Sequence, residues 1–160
     1  MDEAGIRRFA PSDAAWLVRQ HGELYAREAG FDASFGALVA RILDDFIANH
    51  DPARERGWIA TRGEQRLGSI FCVADGTSRA RLRLFLLTPD ARGQGLGKRL
   101  LATCMGFARD CGYRDMQLST HESHRAACAL YEATGWRLGE SRPVRSFGAD
   151  LVEQSWQIVL

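Results

Sequence analysis

Three glycines at alternate positions, Gly93, Gly95 and Gly97, stand between an apolar strand ending at Leu86-Leu87 and an amphipathic helix. No other stretch of the chain restricts the fold as tightly. A strand must end, the backbone must turn, and a helix must begin, all within about ten residues. The first-turn N–H groups of such a helix have no intrahelical acceptor, and the helix dipole adds roughly half a positive charge there. Glycines let an anion such as phosphate approach the backbone with no Cβ in its way. A plain strand-to-helix turn has the same composition, so the remainder of the chain must decide.

Two common phosphate loops are excluded. A Walker-type loop needs a hydroxyl after its Gly-Lys pair, and Gly97-Lys98 is followed by Arg99. A Rossmann loop needs G-x-G-x-x-G near the start of its unit and an acid about 20 residues on. Here the spacing is G-x-G-x-G, in the second half of the chain, and the following strand runs Leu118-Ser119-Thr120-His121.

The elements around the loop define the class. Gly5–Phe9 reads as a short strand, and Ser12 or Asp13 as the N-cap of a helix ending near Gly30. From about Ser34, Phe35, Leu38, Val39, Ile42, Leu43, Phe46 and Ile47 recur at helical spacing until His50-Asp51-Pro52. Strands follow at 57–61, 67–73 and 81–87, with an Asp75-Gly76 hairpin turn between the last two. The last of these alternates at first and then turns continuously apolar, as a strand buried on both faces would. A helix runs from the glycines to Gly112, a strand over 116–120, a helix over 125–133, and final strands over 136–138 and 152–160. The expected order is β-α-α-β-β-β-α-β-α-β-β: one α/β domain over residues 1–160 with a mixed, mainly antiparallel sheet.

Charge and cysteine usage exclude whole classes. Lys+Arg 21 against Asp+Glu 20 leaves +1, no footprint for nucleic acid. No apolar run approaches the ~18–20 residues of a membrane span. Met1-Asp2-Glu3-Ala4 lacks the basic and apolar blocks of a secretory signal, so a soluble cytoplasmic protein is expected. Cys72, Cys104, Cys111 and Cys128 have no metal-ligand spacing and read as reduced core thiols.

Arg92-Gly93-Gln94-Gly95-Leu96-Gly97, together with Leu130-Tyr131-Glu132-Ala133-Thr134-Gly135-Trp136, resembles the GNAT superfamily of acetyl-CoA-dependent N-acetyltransferases. The resemblance spans essentially the whole chain, since the element order is that family's order. The runs 21–28 and 146–151 further resemble the acetyltransferase half of MarR–GNAT fusion proteins, here without the DNA-binding half.

The resemblance implies roles for particular residues. The pyrophosphate of acetyl-CoA would lie on Arg92, Gly93, Gln94, Gly95, Leu96, Gly97 and Lys98, largely on their N–H groups. The pantetheine arm would pair with the backbone of Leu86 and Leu87, where an N–H would polarise the thioester carbonyl. His124 replaces a frequent asparagine contact to that arm. Tyr131 matches the general acid for the departing thiolate, or else packs its ring on the cofactor. The strand before the loop carries no glutamate, so the base is open among His121 and Glu122, or Glu23, Tyr25 and Glu28, or a water chain. No metal is implied. The helices at 12–29 and 34–50 would wall the acceptor cleft, with Trp16, Tyr25, Phe31 and Phe35 lining it or packing in the core.

Three functions follow: transfer to a primary amine of a small molecule, non-catalytic acyl-CoA sensing beside a transcription regulator, or acetylation of proteins. A homodimer is left open.

Overall fold

The computed structural model describes residues 3–160; Met1 and Asp2, where the leader reading begins, lie outside the described residues. The strands are β1 (Gly5–Arg8), β2 (Arg56–Arg62), β3 (Gln65–Ala74), β4 (Arg79–Leu87), β5 (Asp115–His121), β6 (Arg137–Ser146) and β7 (Ala149–Val159). The helices are α1 (Ala14–Ala29), α2 (Ala33–Asn49), α3 (Leu96–Asp110) and α4 (Arg125–Ala133). Their order along the chain is the expected one. One seven-stranded sheet runs β1-β2-β3-β4-β5-β7-β6, and β4–β5 is its parallel pair.

Alternation along the central strands explains how one sheet carries two helical layers. Ile59 and Phe71 point to the α1–α2 side, where they pack with Leu17, Val39, Leu43 and Phe46. Their neighbours Trp58, Ala60, Ile70 and Cys72 point to the other side, against Leu100, Leu101 and Cys104 of α3. With both faces covered, these strands read as apolar runs rather than as an alternation.

Three local expectations are corrected. Asp13 does not cap α1 with its side chain. Its fully buried carboxylate turns back to the Ala10 N–H (2.8 Å), Arg7 (2.8 and 2.9 Å) and Arg66 (2.8 Å), tying β1 and β3 to the start of α1. The end of β4 is not buried on both faces: Leu84, Phe85 and Leu87 are half-buried, and Phe85 and Leu87 line a cleft. The strand expected over 136–138 runs on to Ser146, the one expected over 152–160 begins at Ala149, and the two pair as a hairpin down to Ser146↔Ala149. Phe147 (φ 54) and Gly148 (φ 72) make its two-residue turn, both in the left-handed region a type I′ turn requires. Strand β6 is exposed along most of its length and carries Pro143, which is tolerated only because it lies at the sheet edge.

The loop at Asp75-Gly76 is also longer than a two-residue turn, since β4 resumes only at Arg79. Cys72 and Cys104 are buried, Cys111 and Cys128 half-buried, and all four are free thiols. Among the described residues no helix is long and apolar enough to cross a membrane.

Asp13 supplies a stability test. Burial alone would raise its carboxyl pKa, but the hydrogen bonds from Arg7, Ala10 and Arg66 outweigh it and hold the group well below the usual carboxylate range. A depressed native pKa gives stability that is full above the unfolded value of ~3.9 and is lost as pH falls below it. Asp13→Asn should cost about 3 kcal/mol at neutral pH, or about 6–12 °C in Tm. The gap between variant and parent in thermal melts should close as pH drops from 5 towards 2.

Candidate active site

Strands β4 and β5 pair at only three positions, Arg79↔Asp115, Ala80↔Met116 and Arg81↔Gln117, and then part. The cause lies in β4. Its register against β3 shifts between Ser69 and Phe71, and Leu84 opposite has φ 50, a strained region for leucine. The buried Ser69 hydroxyl donates to the Leu84 carbonyl at 2.6 Å and fixes this bulge. Such bulges bend a strand and re-aim its side chains. Beyond it, β4 still pairs with β3 through Leu86 and Leu87, while its other edge has no strand neighbour. Gly68 permits the close approach on the β3 side, since a Cβ there would lie 2.4 Å from the Leu86 carbonyl oxygen.

A cleft of about 530 Å³ opens where the strands part, between the C-terminal half of α1, the end of β4 and the first turn of α4. The glycine loop forms its rim. Gly93 and Gly95 both have φ +77, conformations that turn the loop into the N-terminus of α3. Gly97 is buried, and a Cβ on it would press to 3.2 Å from Leu87. Gln94 ties the loop down, accepting from Arg62 (2.8 Å) and donating to the Asp90 carbonyl (3.1 Å). Leu96 packs into the core and Lys98 is exposed. Arg92 does not reach out to solvent as a free cation. It forms a two-pronged ion pair with Glu28 of α1, both contacts at 2.8 Å, across the cleft mouth.

A second cavity of about 430 Å³ lies on the far side of Phe85, sharing Tyr25, Phe85, His124 and Ala127 with the first. Helix α4 presents His124, Ala127 and Tyr131 as a stripe at i, i+3 and i+7. Tyr131 is buried, and burial pushes its phenol well above the usual value, so it is protonated. His121 ends β5 with Nδ1 2.7 Å from the Ser123 hydroxyl, and its ring centroid lies 4.0 Å from that of His124. The Tyr25 hydroxyl is 3.4 Å from His124 Nδ1. Tyr25, Phe31 and Phe35 line this cavity, whereas Trp16 packs with the α1–α2 core. The wide apolar stripe of α2 is thereby explained: Val39, Leu43 and Phe46 serve the core, and Phe35, Leu38 and Ile42 the cavity.

The structure thus brings Tyr131, His121, His124, Leu86, Leu87, Arg92 and Gly97 around two joined cavities. Glu122 stands apart, exposed and lining an open groove with Pro143 and Val144. Glu23 is exposed on α1. Three cavity residues escaped sequence reasoning. Phe147, at the hairpin turn, stacks against Phe31 and Phe35 (4.9 and 5.0 Å between ring centroids). His21 is buried, its Nδ1 donating to the Leu17 carbonyl (2.8 Å) and its Nε2 without a partner. Arg83 of β4 also lines the cavity. The i, i+4 spacing of His21 and Tyr25 was the available signal for the histidine.

Comparison with known proteins identifies the class. Residues 15–136 match the family model of the Acetyltransferase (GNAT) family, and the chain belongs to that family. It is 39% identical over 85 residues to human N-acetyltransferase 8B, covering 50% of this chain and 37% of that protein, so the chain spans well under half of that relative. Among solved structures it is similar to an acetyltransferase from Streptococcus agalactiae (TM-score 0.81, 23% identity, 98% of each chain). It is also similar to yncA of Salmonella typhimurium, solved with its cofactor acetyl-CoA (TM-score 0.79, 18% identity, 98% and 93% of the two chains).

The histidines give a pH test. Burial lowers both His21 and His124 from 6.5 to about 4, and the neighbouring His121 ring adds to the effect at His124 while Glu28 opposes it. Both are neutral in the native protein at pH 7, and the unfolded chain takes up protons first as pH falls. Stability should therefore decline as pH drops from about 6.5 towards 4. In an NMR titration, the ring signals of both residues should stay in the neutral position down to pH 5.5.

Proposed function

We propose that the chain transfers an acetyl group from acetyl-CoA to a primary amine of a small molecule, by direct attack with both substrates bound. The observation that carries the reading is the parting of β4 and β5. It leaves a free strand edge at Leu82–Leu87 beside a helix N-terminus with exposed loop amides, and joins that cleft to a second cavity. These features fit the parts of acetyl-CoA one by one. A free edge suits the amide-bearing pantetheine arm, as in β-strand addition, and the loop amides at 93–98 suit the pyrophosphate.

Acetyl-CoA supplies the acyl group as a thioester; the chain's residues do the rest. A backbone N–H at Leu86 or Leu87 polarises the thioester carbonyl. His121, which burial keeps neutral by lowering its pKa, takes a proton from the attacking amine. As the new C–N bond forms and the C–S bond breaks, the Tyr131 hydroxyl gives its proton to the leaving sulfur. His124, held beside Tyr25, lies at the junction of the two cavities and contacts the arm.

The hairpin tip favours a small acceptor over a protein chain. Phe147 closes on Phe31 and Phe35, and its carbonyl accepts from the Asp32 N–H at 2.8 Å, which roofs the second cavity. The runs 21–28 and 146–151, which carry the likeness to MarR–GNAT fusions, meet at this cavity; we read that likeness as a shared acceptor pocket. Cytoplasmic residence belongs to the same proposal.

Tyr131→Phe should leave CoA affinity in calorimetry nearly unchanged. It should slow single-turnover transfer to the best amine roughly 10–100-fold, at the low end of general-acid effects because a thiol leaves readily. Full transfer rate in the variant would reject the acid role, and a chain that binds CoA but releases no thiol with any amine would favour sensing. Arg92 can join the cofactor only by loosening its hold on Glu28. Glu28→Gln should therefore tighten CoA binding a few-fold, the scale of a half-exposed ion pair.

A further inference from the structure

One buried nitrogen of the second cavity has no partner. His21 lies in the middle of α1, only 1% exposed, and is among the side chains that line this cavity. Its Nδ1 lies 2.8 Å from the Leu17 carbonyl oxygen one turn earlier. A carbonyl only accepts, so the ring proton sits on Nδ1, and Nε2 of the neutral ring is left with a lone pair. Burial keeps the ring neutral by lowering its pKa to about 4. Among the described residues, no donor reaches Nε2. The neighbouring rings of Tyr25 and Phe35 have centroids 6.0 and 6.3 Å from that of His21, and the Tyr25 hydroxyl lies at His124 instead (3.4 Å). A buried acceptor left unpaired is costly, and nearly all such groups in folded proteins have a partner. Along α1, Glu28 lines the first cleft, Tyr25 both cavities, and His21 the second alone. At 1.5 Å per residue, His21 is ~10 Å along the helix from Glu28, on the side away from the glycine loop.

We propose that His21 is a specificity-determining residue of the acceptor pocket, its Nε2 accepting a hydrogen bond from a hydroxyl on the apolar body of the amine. The proposal rests on the acyl-transfer reading of the same cavity. The apolar body follows from the walls, where Tyr25, Phe31, Phe35 and Phe147 offer rings. The hydroxyl follows from the lone pair. A second ammonium would be disfavoured by burial, and an amide N–H would bring a carbonyl that needs a donor of its own. The place of His21 on α1 sets the hydroxyl away from the attacking nitrogen, which must reach the junction of the two cavities. Such a site discriminates because an analogue without the hydroxyl leaves Nε2 unpaired.

The test uses phenethylamine and its ortho-, meta- and para-hydroxy forms, titrated calorimetrically into the whole chain with CoA present. At least one hydroxy form should bind at least about 10-fold more tightly than phenethylamine. His21→Leu should abolish that preference without altering affinity for CoA, and His21→Gln, whose side-chain oxygen accepts, should restore part of it. In the unsubstituted chain, nitrogen NMR should show His21 with its proton on Nδ1. The favoured hydroxy form should then move the Nε2 resonance further upfield than phenethylamine does. If His21→Leu does not fold, these spectra decide alone. A proton on Nε2, equal binding of all four amines, a preference that survives in His21→Leu, or no binding of any of them at millimolar concentration overturns the proposal. Absence of acetyl transfer, with the hydroxyl preference and the Nε2 shift intact, sinks the acyl-transfer reading while the recognition site stands. Acetylation of these amines without any hydroxyl preference sinks the recognition site alone.

Discussion

The hydrogen bond from Ser69 to the Leu84 carbonyl determines more of this structure than any other single contact. It holds a leucine in a left-handed conformation, and that conformation bends β4 away from β5. Strand edges inside a domain are normally paired or covered, because an open ladder of N–H and C=O groups invites another chain. Here the edge is left open within the fold, in the cleft between α1 and α4. The sheet itself remains continuous, since β7 secures β5 along Asp115–His121. The bulge thus converts a parallel strand pair into an open wedge without giving up the core on either side.

The chemistry of the wedge follows from its dryness. Burial holds Tyr131 protonated and lowers the pKa of His21, His121 and His124, so the second cavity is lined by uncharged polar groups. An unpaired buried carboxylate would be unfavourable in such surroundings.

The residues explain which parts of this were legible beforehand. The strand-to-helix turn at the glycine loop could be read because Gly93 and Gly95 adopt φ +77, a region glycine enters freely, and that leaves a mark in the sequence. The α2 stripe could be read as a helix but not as a cavity wall, since Phe35 and Val39 are equally apolar and differ only in what faces them. The β6–β7 hairpin was illegible for a different reason. Its outer strand, Arg137–Ser146, buries almost nothing and so shows no alternation, and its turn places Phe147 where glycine or asparagine is usual. Sequence alone could not separate His121 from Glu122, because they are adjacent but point to opposite faces of the strand end, one into the second cavity and one to solvent.

Helix α1 is the element through which the two cavities are coupled. Its residues Tyr25 and Glu28 lie one turn apart: Tyr25 belongs to both cavities, and Glu28 holds Arg92 on the glycine loop. The same Tyr25 ring packs on Phe35 with centroids 4.4 Å apart and on His124 at 4.6 Å, so walls of both cavities share one ring. Any movement of Arg92 towards an anion on the loop changes what restrains the end of α1, and with it the Tyr25 ring. The α1–α2 junction is itself anchored to the hairpin tip through the Asp32–Phe147 hydrogen bond. The glycine loop and the second cavity are therefore joined by a short path of packed and hydrogen-bonded groups running through Glu28, Tyr25 and the Asp32–Phe147 contact.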